Sequence, residues 1–379
     1  MIVRCHSKHL GLLSERLPFK RFLPAPALWI NRHFGHGDRL GVVRPANQSS
    51  EDSEPGFQQE LLSATRRVQA LEAYRQVVQQ TPSDIDLFQA ALLIAKHRHP
   101  LLDEARCHDD LNEQVKAIEA SLPSSADQTG FELSYITRQL GQIANFTGNE
   151  KDYYDPDNSC MNMVLQRRTG IPITLGLLYM AVAQRMGLSL HGLNLPGHLM
   201  VGNSIEGVTN LLVDPFDGFK LLNIPQVEEL FAQRYSTKLR LSTALVTNSA
   251  LVMSTPTMLV RVLLNLKSIY TGLQQADKVL QITDYLRATR DFADDVRDAG
   301  LCLFSMQRYT DSAEMLQQYL TQSPYAQDRP MAPVETQEVV TSPLAELVFI
   351  SLYAGAEDSQ ATLILRMHAS NCKGTQGLP

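Results

Sequence analysis

The stretch from Pro172 to Met186 is apolar on almost every side, because Leu175, Leu177, Leu178, Met180 and Val182 are spread around a 3.6-residue period. A helix of that composition cannot lie on a surface, so it predicts the centre of a core. Pro172 suits its first turn, since the amide that proline lacks would have no intrahelical partner there. The period then changes. Short apolar runs at Ser189 to Leu193, Leu199 to Val201 and Leu211 to Val213, bounded by Gly, Pro and Asn, read as strands. A buried helix followed by short strands predicts an α+β core over residues 131–245.

Helical periodicity flanks that core on both sides. Residues 56–130 read as a helical N-terminal region: Leu61, Leu62 and Ala64 lead to Val68, Leu71 and Tyr74, then come an apolar helix Leu87 to Ala95 and a third over Leu111 to Ile118. Phe131 to Ile143 reads as a further helix. Residues 250–325 return to helix, and Gly300, Leu316 and Pro324 fall at the spacing of a tetratricopeptide unit, with a looser copy from Leu263 through Ala276. Two such copies make a helical pair that must stack on a neighbour. Residues 326–379, with Pro330, Pro333 and Pro343, read as an irregular tail.

The chain opens differently. Residues 1–50 contain eight Lys or Arg against Glu15 and Asp38, in a chain whose net charge is −6. The run of Arg4, Arg16, Lys20, Arg21, Arg32, Arg39 and Arg44 has the composition of an organelle transit peptide, plastid or mitochondrial. The plainer reading is a basic tail on a cytoplasmic protein. Either way residues 1–55, ending in the polar Gln48 to Pro55, stand apart as tail and linker. The body has no basic stripe, which argues against a nucleic-acid partner. Apolar runs are too short to span a membrane.

Candidate chemistry concentrates in two places. Leu195-Pro196-Gly197-His198 is followed sixteen residues later by Asp214-Pro215-Phe216, and strand alternation puts His198 and Met200 on one face and Leu212 and Asp214 on one face. On adjacent strands Asp214 could take the ring N–H of His198, either as the orienting pair of a catalytic triad or as a buried pair satisfying itself. A nucleophile would decide between them. Cys160 follows the N-cap formers Asp157-Asn158-Ser159, so it is expected in the first turn of a helix running to Arg168, where the dipole favours thiolate. It also shares a helical face with Val164, as a buried structural cysteine would. Arg167 and Arg168 read as a solvated helix end. The five cysteines show no paired spacing, and His97, His99 and His108 do not converge on one side of a helix, so neither metal nor cofactor is expected.

The elements YYDPDNSCMNMVLQRRTGIPITLGLLYMAVAQRMGL, LPGHLMV and LLVDPFDG, with ALLIAKHRHPLLD upstream, resemble the SirB-type transglutaminase-like family, also found in certain F-box ubiquitin-ligase subunits. The resemblance covers some 240 residues and implies a papain/transglutaminase-like core. Active relatives place a Cys at a helix N-terminus and His and Asp on neighbouring strands, and His198 and Asp214 match the last two. Their helix opens with Gly and, two positions later, Cys. Here it opens Gly170-Ile171-Pro172, with no thiol.

The missing thiol implies a non-catalytic regulatory or protein-interaction module on a pseudoenzyme core, its partner a protein or peptide held by the core groove or the repeat helices. The alternative is a thiol-dependent amide hydrolase or acyltransferase using Cys160, His198 and Asp214. A substrate adaptor for protein degradation, the role of the F-box relatives, lacks a recognisable F-box here.

Overall fold

A computed structural model describes residues 54–123, 129–195, 197–202, 211–235, 241 and 251–323. The basic opening, residues 1–53, and the tail from residue 324 on lie outside them, and with them the transit-peptide and irregular-tail expectations.

Three helices lead in: α1 (Glu54–Val78), α2 (Leu87–Ala95) and α3 (Glu104–Ser121). Asp86 starts α2 by accepting the Gln89 amide at 2.9 Å, and Asp103 starts α3 by accepting that of Arg106 at 3.1 Å. Each cap satisfies an amide that the first turn leaves open. Every α2 residue except Gln89 is buried. Next comes α4 (Thr129–Thr137), whose last turn widens into a π-helical segment, Arg138–Ile143, closed by the Ala144 amide on Gln139 O at 2.8 Å. The single helix expected over Phe131 to Ile143 is therefore two conformations, and the extra residue per turn keeps Leu140 fully buried.

The short strands β1 (Thr147–Gly148) and β2 (Thr169–Gly170) pair in parallel and bracket a 3₁₀ turn, Pro156–Ser159, and α5 (Met161–Arg167). The central helix is α6 (Pro172–Arg185), buried on nearly all sides as its composition requires. A five-stranded antiparallel sheet follows: β3 (His191–Leu195), β4 (His198–Gly202), β5 (Leu211–Asp214), β6 (Lys220–Asn223) and β7 (Val252–Met253), in the order β6-β5-β4-β3-β7. The first strand begins at His191 rather than Ser189, because its pairing to β4 starts at His191 opposite Gly202.

The two faces of the sheet meet different partners. Leu199, Val201 and Val213 point to the main core, where a Cβ added at Gly176 of α6 would stand 2.9 Å from Leu199 Cδ2 and 3.4 Å from Val201 Cγ2. On the other face Leu193, Leu195, Met200 and Leu212 pack with Val227 and Phe231 of α7 (Ile224–Tyr235).

Four helices finish the described chain: α8 (Thr255–Gly272), α9 (Ala276–Thr289), α10 (Ala293–Ser305) and α11 (Tyr309–Gln322), each packed on the next. Gly300 lets α10 approach α11 closely, since a Cβ there would lie 2.7 Å from Leu316 Cδ2. The Tyr74 and Thr289 hydroxyls, 2.7 Å apart, join α1 to α9, and Tyr285 donates to Leu93 O on α2 at 3.1 Å. The closing helices thus stack on the opening ones.

Candidate functional site

His198 opens β4, just after Gly197, whose φ of +75° is a conformation that suits a residue without Cβ. Asp214 closes β5. Alternation along the paired strands puts both on the α7 side of the sheet, and the His198 Nε2 lies 2.9 Å from Asp214 Oδ2. The other carboxylate oxygen accepts the backbone amides of Phe216 at 3.1 Å and Asp217 at 3.4 Å. Burial pushes the Asp214 carboxyl up, but the His198 hydrogen bond and charge together with these two amides outweigh it and hold the acid below its ordinary range. An ionised Asp214 accepts the hydrogen bond of the Nε2–H and so fixes the orientation of the ring. The edge of that ring meets Phe231, centroid to centroid at 6.1 Å and 85°.

Cys160 belongs to another neighbourhood. It is the N-cap of α5, with extended backbone, rather than a residue of the first turn, because the 3₁₀ turn before it uses the polar run for its own caps: Asp155 accepts the Asp157 amide at 3.0 Å. The sulfur is fully buried, donates to Pro156 O at 3.5 Å and lies within 4.8 Å of His99 and Asp157 ligand atoms. Burial and the nearby Asp157 charge push its thiol well above the ordinary range, so it is neutral at physiological pH. The helix that opens with Pro172 offers no thiol. Its first free amide, on Ile171, donates to Thr174 Oγ1 at 3.2 Å, and that hydroxyl donates to Asn158 O at 2.7 Å.

Asp157 is the centre that sequence reading missed. Its Oδ1 accepts from Arg98 Nε at 2.6 Å and lies 2.8 Å from His99 Nε2, while Oδ2 accepts from Arg167 at 2.6 Å. Arg167 also reaches Asp155 at 2.6 Å, so it is a clasp rather than a solvated helix end. Arg168 takes φ of +57° to end α5 and donates to Ala144 O at 2.7 Å. Burial opposes ionisation of Asp157, yet the His99 and Arg98 hydrogen bonds and charges outweigh it and keep the carboxyl low. The sequence signal was present in the two motifs that meet here, KHRHP and YDPDNS, but neither resembles a site without the other.

The histidines divide among unrelated partners. Buried His97 donates from Nδ1 to Ile94 O at 2.7 Å and accepts the Tyr270 hydroxyl at 2.7 Å on Nε2; burial, then the positive charge of Lys278, Arg98 and His99, depresses it to about 3. His108 lies beside Gln89 and Arg185. His99, Asp157 and Cys160 form a group close enough to hold a metal ion. The donor set suits one poorly, since both Asp157 oxygens already face guanidinium groups and the thiol is protonated.

Among known proteins, the transglutaminase-like superfamily matches residues 105–263. A UPF0162 protein of Xylella fastidiosa (strain 9a5c) is 30% identical over 240 residues, 62% of this chain and 83% of the relative. One of Vibrio cholerae is 25% identical over 280 residues, 74% of this chain and 96% of the relative. The F-box only protein 21 of Mus musculus is 29% identical over 174 residues, 44% of this chain and 26% of its own length. No solved structure matches the chain significantly.

Proposed function

This chain belongs to the UPF0162 family, and from that premise we propose that it is a non-catalytic regulatory or protein-interaction module of SirB type, built on a transglutaminase-like core that has lost its nucleophile. The observation that carries the reading is Pro172 at the opening of the central helix, the position the family resemblance assigns to the attacking thiol. Two further features support it. The residues of β4 that meet the central helix are Leu199 and Val201, whereas His198 shares the strand face that meets α7. Cys160, the remaining thiol of the region, is buried and held protonated beside Asp157. In this reading the His198–Asp214 pair keeps the sheet together, and the core groove and the tetratricopeptide-like closing helices present the surface that a protein or peptide partner recognises. No helix among the described residues is long and apolar enough to cross a membrane.

The test is an assay of the purified full-length chain for thiol-dependent acyl transfer and amide hydrolysis, run beside Cys160→Ser and His198→Ala. The expected result is no turnover above the Cys160→Ser background. Turnover abolished by both substitutions would replace this reading with that of a thiol hydrolase or acyltransferase using Cys160, His198 and Asp214.

A further inference from the structure

A cavity of about 230 Å³ lies between α1, α9, α10 and α11, away from the sheet and its His–Asp pair. It is smaller than the usual pocket for a drug-sized molecule. Its lining holds both signs of charge, and these side chains are only loosely paired with one another. Arg287 stands 3.7 Å from Asp284, longer than a charge-assisted hydrogen bond. Neither these two side chains nor Asp291 makes a side-chain hydrogen bond among the described residues, and Arg75 reaches only Glu72, at 3.3 Å on its exposed side. Partial burial pushes the Asp284 carboxyl up against the pull of Arg287 and Arg75, while about a third of its side chain stays open to the cavity mouth and solvent.

One wall is built around an ion pair, with a small apolar area beside it. Arg290 grips Asp295 through Nε at 2.8 Å and a second nitrogen at 3.1 Å, and its guanidinium lies 4.5 Å over the Phe292 ring. Phe292 and Val296 complete that side. A lone anion would meet the two carboxylates, and a lone cation the guanidinium groups. A molecule with adjacent charges of opposite sign and a short apolar chain satisfies all of them.

We propose that this cavity binds a small zwitterion of the α-amino acid class, with its carboxylate on Arg75 and Arg287, its ammonium on Asp284 and Asp291, and its carbon chain on Phe292 and Val296. Binding closes the open Arg287–Asp284 pair through the ligand. The site is independent of the transglutaminase-like core and of whether that core is catalytic.

Isothermal titration of the full-length chain at low ionic strength, with L-leucine, L-methionine and L-glutamine as separate probes, tests the assignment. At least one probe is expected to bind saturably at one site. Its N-acetyl and amide derivatives, each lacking one charge, are expected to bind about tenfold more weakly or worse. Arg287→Ala and Asp284→Asn, at partly exposed positions that leave the fold intact by circular dichroism, are expected to abolish the heat. Absence of saturable binding by all three probes, equal binding of the derivatives, or unchanged binding by both variants overturns the proposal.

Discussion

Asp214 spends one carboxylate oxygen on His198, 2.9 Å away, and the other on the two backbone amides of the turn that follows it, so the ring, the strand end and the turn share a single anion. His198 is 5% exposed and Asp214 1%, which makes the pair a desolvated one. Removing one member of such a pair strands the other. His198→Ala and Asp214→Ala are each expected to cost about 3–5 kcal/mol in urea unfolding. The double variant is expected to cost clearly less than the sum of the two. Strict additivity would mean that the two side chains are not coupled in the folded protein.

The cost at Asp157 should fall unevenly on its partners. Asp157→Ala leaves Arg98 and His99 without their acceptor and is expected to lose about 2–4 kcal/mol. Arg167 is 39% exposed, so Arg167→Ala is expected to lose no more than about 1 kcal/mol, because water can replace it. Equal losses for the two substitutions would contradict a centre organised on the acid.

His97 should make stability depend on pH in a defined direction. Its folded value of about 3 lies below the ordinary 6.5, so between those limits the unfolded chain binds the extra proton and the folded chain does not. The stabilisation is complete above about pH 6.5 and falls by about 1.4 kcal/mol per pH unit as the pH drops toward 3. His97→Gln is expected to remove that part of the slope between pH 5 and 6.5 when urea unfolding is compared with wild type. An unaltered slope would place the titration elsewhere.

Gly300 lets α10 sit close against Leu316 of α11. Gly300→Ala adds a methyl 2.7 Å from Leu316 Cδ2 and is expected to destabilise by about 1–3 kcal/mol despite the better helix propensity of alanine. Leu316→Ala in the same chain should relieve the clash, so the double variant should fall short of the summed losses in thermal unfolding.

Part of this structure could be read along the chain. Helix α2 has the ends its apolar run predicts, because Asp86 caps it and nothing inside it competes with helix. Alternation grouped His198 with Met200 in β4 and Leu212 with Asp214 in β5, and the pairing of the two strands then brings both groups to one face. The Asp157 centre could not be read this way, because Arg98 and His99 arrive from about 58 residues upstream and local periodicity says nothing about which loop meets which. Cys160 shows a subtler limit. The residues before it are good helix caps, but Asp155 caps the 3₁₀ turn instead, and a one-residue displacement moves the thiol out of the first turn. Arg167 looked like the end of a helix because that is where it lies; what it touches depended on tertiary structure.

The same carboxylate at Asp157 also bears on how the molecule breathes. It joins the end of α2, the 3₁₀ turn and the last turn of α5, three pieces that the chain itself keeps apart. None of them can swing out alone without leaving a charge behind in a dry place. Their backbone amides should therefore exchange with deuterated solvent as one cooperative unit, at a common free energy well above that of the chain ends.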